Sequence, residues 1–140
     1  MSTIISSEVL LNVITREKKN SGATFTIQSV KTGKDFTYSI SRNEFKGKWY
    51  THVTVEMGYL NFVRIGTYFN GKIFNKGAVV TTPTATAIGY ILSLVEKGKF
   101  EWLDTQMRVM HTGSCLCCGR TLTDAHSIQL GLGPTCASFN

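Results

Sequence analysis

From Ala23 to Met57 the side chains largely follow a period of two, interrupted where a strand can turn back on itself. Phe25 and Ile27 alternate with Thr24, Thr26 and Gln28. After Lys31-Thr32-Gly33-Lys34, Phe36, Tyr38 and Ile40 alternate with Asp35, Thr37 and Ser39. Such a pattern gathers apolar groups on one face of a pleated strand, so the pair reads as a β-hairpin. Trp49 to Met57 continues it, with Trp49, Thr51, Val53, Val55 and Met57 opposed to Tyr50, His52, Thr54 and Glu56. Phe62 to Phe69 is a further strand. Asn70-Gly71, two residues that tolerate positive φ, then forms a hairpin turn into Lys72-Ile73-Phe74. The expectation is a meander of about five antiparallel strands.

Helical signals flank this region. Leu10, Val13 and Ile14 share one helical face after Ser6 or Ser7 as cap. Thr82-Pro83 opens a longer helix, with Thr82 as cap and Pro83 at its first position, a stripe of Ile88, Ile91, Leu92 and Val95, and Gly98 at its close. Phe100 to Met110 reads as one more strand, with Trp102 and Val109 as core candidates. The predicted class is α+β: an antiparallel meander covered by one helix, with a C-terminal zinc-knuckle segment. Residues 1–110 are expected to form the sheet and helices, and 111–140 the knuckle segment packed on the same domain. The 140 residues, 42% of them hydrophobic, suffice for one domain with a sizeable core.

The longest uncharged apolar stretch, Ala87 to Val95, is interrupted by Gly89 and Ser93 and falls short of the roughly 20 residues that span a bilayer. Met1 to Thr15 holds no Lys or Arg, against the basic start of a secretory leader. These features predict a cytoplasmic protein without a membrane span.

The four cysteines cluster. Cys115, Cys117 and Cys118 lie within four residues, and Cys136 follows. In a chain read as cytoplasmic this favours a metal over disulfides. Cys115-x-x-Cys118-Gly119 has knuckle spacing, in which a tight turn aims two thiolates at one tetrahedral Zn2+, and Cys136 supplies a third. For the fourth position His111 ranks first, His126 second and Cys117 last. A closed set of four protein ligands makes the zinc structural rather than catalytic.

The run Cys115-x-x-Cys118-Gly119-Arg120-x-Leu122-Thr123, continued by Ser127-Ile128, Gly131, Gly133-Pro134 and Cys136, resembles the C-terminal signature of an uncharacterised family of small zinc-binding-type proteins encoded by bacteriophages, prophages and plasmids. Ala125, where proline is common, and the extra thiol of Cys117 depart from that signature. The resemblance implies a phage-type origin, hence a host bacterial cytoplasm, and a metal. It implies no reaction.

The net charge is +6, and all of the excess is N-terminal: residues 1–76 carry 11 basic and 5 acidic side chains, residues 77–140 four of each. A basic surface attracts phosphates or acidic protein faces. Lys31, Lys34, Arg42, Lys46 and Lys48 are the candidate phosphate contacts, and Tyr50, His52, Tyr59, Tyr68 and Phe69 the candidates for stacking on unpaired bases. Arg120 either bonds carbonyls within the knuckle or projects toward a phosphate. The chain has no phosphate-binding glycine loop, nucleophile elbow or zinc-deaminase motif, and its nine carboxylates are scattered. The expectation is a non-catalytic nucleic-acid-binding protein. The alternative is a modulator that docks on an acidic face of a host protein.

Overall fold

A computed structural model describes residues 3–15, 23–57, 61–111, 113, 116, 121–122, 129 and 131. The chain runs β1 (Thr3–Ile5), α1 (Val9–Thr15), β2 (Ala23–Ser29), β3 (Asp35–Phe45), β4 (Lys48–Glu56), β5 (Phe62–Phe69), β6 (Lys72–Asn75), β7 (Ala78–Val79), α2 (Pro83–Glu96), α3 (Phe100–Gln106) and β8 (Met107–His111). The strands form a single antiparallel sheet in the order β1-β8-β2-β3-β4-β5-β6-β7. The α+β class and the meander are as expected, while the sheet has eight described strands rather than the five of the meander and one at Phe100–Met110, and the described helices number three rather than two.

Period two decides which face is covered. Ala23, Phe25 and Ile27 of β2 pair with Ile40, Tyr38 and Phe36 of β3, and the buried positions continue through Val53 and Val55 of β4 to Tyr68 and Ile73. Against that face pack Leu10 and Val13 of α1, Ile88, Leu92 and Val95 of α2 and Leu103 of α3, all in one cluster. Truncating a fully buried leucine such as Leu92 to alanine is worth about 2–5 kcal/mol. The opposite face carries no helix among the described residues.

Two local details fix the layers. Thr82 caps α2, its Oγ1 accepting from the Ala85 N–H at 3.4 Å, with Pro83 in the first turn. Asp104 of α3 ties down the start of α1: its carboxylate oxygens accept from the Ser7 N–H at 2.9 Å and the Ser6 hydroxyl at 3.2 Å.

The segment Phe100–Met110, expected to be one strand, is helix to Gln106 and strand only from Met107. Its apolar positions Phe100, Leu103 and Met107 suit a helical turn, and Leu103 and Met107 are buried, whereas Trp102 is 49% exposed. Strand β8 enters between β1 and β2, pairing Thr3 with His111 and Ile27 with Val109. The expected boundary between 110 and 111 therefore falls inside a strand. No helix among the described residues is long and apolar enough to cross a membrane.

Candidate nucleic-acid face and C-terminal metal segment

The uncovered face of the sheet collects the side chains out of phase with the core. Hydroxyls dominate β2 and β3, where Thr26 Oγ1 meets Thr37 Oγ1 at 2.8 Å and Thr24 Oγ1 donates to Ser39 Oγ at 3.4 Å. Across β4 to β6 the same face gains aromatic and charged groups: Tyr50, His52, Thr54 and Glu56, then Phe62, Arg64, Thr67 and Phe69, then Lys72 and Phe74. A bulge in β5 produces this arrangement. Register shifts between Val53, which pairs with Gly66, and Thr54, which pairs with Arg64, so that Arg64 lies on the His52 side.

Arg64 is held there. Its Nη2 donates to His52 Nδ1 at 2.8 Å, and Thr67 Oγ1 lies 3.1 Å from the same nitrogen. Because an arginine can only donate, His52 Nδ1 is unprotonated. Burial first, and the Arg64 charge second, lower the His52 pKa below its ordinary value, which keeps the acceptor available. Phe69, 69% exposed, lies beside Phe74 with ring centroids 6.5 Å apart.

The residues singled out in the sequence are dispersed. Lys31 and Lys34 are exposed at the β2–β3 turn, Lys46 and Lys48 at the β3–β4 turn. These turns cap opposite ends of the eleven-residue β3, roughly 35 Å apart at about 3.3 Å per residue. They do not form one patch.

Arg42 is corrected outright. It is only 7% exposed, lies in phase with Tyr38 and Ile40 on the helix-covered face, donates from Nη1 to Thr51 Oγ1 at 2.8 Å and sits 5.7 Å from the Trp49 ring centroid. Tyr68 is buried as well, its hydroxyl donating to Glu96; burial, then that bond, raise its pKa. Tyr50, His52 and Phe69 do share the open face, and Tyr59 lies outside the described residues. Arg64, Lys72 and Phe74 were missed. Counting by twos from His52 and across the Asn70-Gly71 turn would have found Lys72 and Phe74, whereas the bulge hides Arg64.

The C-terminal segment starts from β8. His111 is fully buried, and its Nδ1 accepts from the Gly113 N–H at 2.9 Å. Beyond it, the Leu116 N–H donates to the Gly131 carbonyl at 2.8 Å and the Leu122 N–H to the Gly113 carbonyl at 2.7 Å, while Leu116 and Leu122 are buried. Gly131 takes φ +80°, and a Cβ there would lie 3.0 Å from Ile5 Cδ1 and 3.5 Å from His111 Cδ2. The described residues of the signature thus dock on the β1–β8 edge and belong to the same core.

Cys115, Cys117, Cys118, Cys136, Arg120 and His126 lie outside the described residues. For the remaining proposed ligand the ring chemistry is informative. A backbone N–H only donates, so in the bond from Gly113 the acceptor is His111 Nδ1.

Comparison with known proteins reaches only this segment. No curated protein and no solved structure matches the chain. Residues 108–138, which begin in β8 and take in His111 and all four cysteines, match the model of a family of unknown function (DUF6011).

Proposed function

We propose that this protein is a non-catalytic module that binds single-stranded nucleic acid on its open sheet face, with a structural zinc in the C-terminal segment. One observation carries the reading: on the uncovered face, Arg64 is fixed by a neutral His52, and the exposed ring of Phe69 lies farther along the same strand. A planar guanidinium grips a phosphate by two N–H groups, and exposed aromatic rings stack on unpaired bases. Lys72 adds a second cation on the same face, and Lys46 and Lys48 extend positive charge beyond its edge. Phage-type origin and a host bacterial cytoplasm fit such a module and rest on the signature resemblance alone.

Fluorescence anisotropy with labelled single-stranded and duplex DNA and RNA, titrated over salt, tests this. Binding that prefers single strands and weakens steeply with salt supports it. Binding to none of the four, combined with capture of an acidic host protein from nuclease-treated lysate, would replace it with the modulator reading.

For the metal, Cys115, Cys118 and Cys136 supply three thiolates in this proposal. Bound zinc would contribute folding energy and tie the tail to the β1–β8 edge. His111 holds the Gly113 turn from within the core. Zinc content of His111→Gln, His126→Gln and Cys117→Ser proteins, with the Co2+ absorption spectrum reporting thiolate count, assigns the fourth position. Loss of zinc in His111→Gln alone would assign that position to His111, and full zinc retention there would pass it to His126 or Cys117.

A further inference from the structure

The helix-covered side of the sheet holds a cavity that neither the open face nor the C-terminal segment uses. It lies beside the β2–β3 hairpin, between α2 and α3, with a volume of about 300 Å³ and walls made mainly of carbon. Ile27 and Leu103 are buried at its base. Three large aromatic side chains stay partly exposed around it: Phe36 at 39%, Tyr90 at 56% and Trp102 at 49%. One such ring on a surface needs no explanation, but three converging on one concavity do. Each leaves apolar area wet that a ligand would cover, at about 25 cal/mol per Å². Among the described residues lining the cavity, Lys34 carries the one charge, and no carboxylate opposes it. The Tyr38 hydroxyl is already used, donating to the Thr84 carbonyl at 2.9 Å.

We propose that this cavity binds a small aryl anion, one or two fused rings bearing a single carboxylate or sulfonate. The ring stacks among Phe36, Tyr90 and Trp102, where offset and edge-on aromatic contacts are favourable, and the anion meets Lys34 at the mouth. Size limits the ligand, because about 300 Å³ is at the lower end of pockets that hold small molecules. A single cation also matches one negative charge better than the several of a nucleotide phosphate chain. The site lies on the opposite side of the sheet from the open face and stands independently of the nucleic-acid reading.

The test uses the Trp49→Phe protein, in which Trp102 is the sole tryptophan, titrated with 1-naphthoate, its neutral alcohol 1-naphthalenemethanol, and decanoate. Binding is read by calorimetry and by Trp102 emission. The expected result is saturable one-to-one binding of naphthoate, tighter than either comparison ligand. Lys34→Ala should weaken naphthoate roughly two- to fivefold, as for an exposed charge pair, and leave the alcohol unchanged. Ala87→Phe, placed on α2 to fill the cavity, should abolish binding while circular dichroism stays native. Non-saturating titration, equal affinity for all three ligands, or naphthoate binding untouched by Ala87→Phe in a folded protein would each overturn the proposal.

Discussion

Gly131→Ala separates a docked C-terminal segment from a tail that merely follows the domain. Gly131 adopts φ +80°, a left-handed conformation that costs an L-residue about 1–2 kcal/mol. The added Cβ would also lie 3.0 Å from Ile5 Cδ1 and 3.4 Å from Leu116 Cδ1, closer than ordinary packing. Ile5 can swing its terminal methyl, so the overpacking term belongs near the lower end of the usual range, about 1 kcal/mol. The sum is about 2–3 kcal/mol. At about 3–4 °C per kcal/mol for a chain of this length, Tm should fall by about 6–12 °C. Gly33→Ala supplies the control, because Gly33 has φ +74° and a Cβ there would meet nothing within 4 Å. It takes the backbone cost without the crowding. Thermal melts followed by circular dichroism on both variants should show Gly131→Ala falling further, by about 3–4 °C. A Gly131→Ala shift no larger than that of Gly33→Ala would refute the packing of this segment against Ile5 and His111.

Gly66→Ala should be more severe, since its Cβ would lie 2.4 Å from the Phe74 carbonyl oxygen, and urea unfolding should show a loss of about 3 kcal/mol or more. His52 makes stability depend on pH. Its folded pKa lies below the ordinary value near 6.5, so as pH falls through about 6.5 the unfolded chain takes up that proton first. Tm should therefore decline from that pH downward until the folded group also protonates, and His52→Asn, which keeps an acceptor for Arg64 but cannot titrate, should flatten the decline. Chelation of zinc, or Cys118→Ser, should lower Tm and expose the tail to limited proteolysis, whereas Cys117→Ser should retain one zinc per chain by metal analysis.

The strands were legible because one-sided burial writes itself as period two. β5 and the Asn70-Gly71 turn came out as read, and Thr82-Pro83 marked the start of α2 because capping is a local chemical event. The errors arose where a local pattern competes with tertiary placement. Arg42 was read by its charge rather than its phase, although the alternation through Tyr38 and Ile40 already turned it toward the helices. Phe100–Met110 is dense in large side chains that suit either period, and only docking against Ser6, Ser7 and β2 makes its first part a helix. The entry of β8 between β1 and β2 depends on pairing across about a hundred residues, which no local window contains. The site followed the same division. Tyr50, His52 and Phe69 could be assigned to a common face by counting, while Arg64 reached it through a bulge created by Gly66.

The central claim places phosphate recognition on the open face, and the salt dependence of single-strand binding in three proteins tests it most directly. For the unaltered chain, log Kd against log salt should be steep. Arg64→Gln should reduce the slope by about 0.7, the value for one phosphate contact on a single strand, and Arg42→Gln, altered on the helix-covered face, should leave the slope of its folded protein unchanged. An unchanged slope in Arg64→Gln, or an equal reduction in both variants, would contradict it.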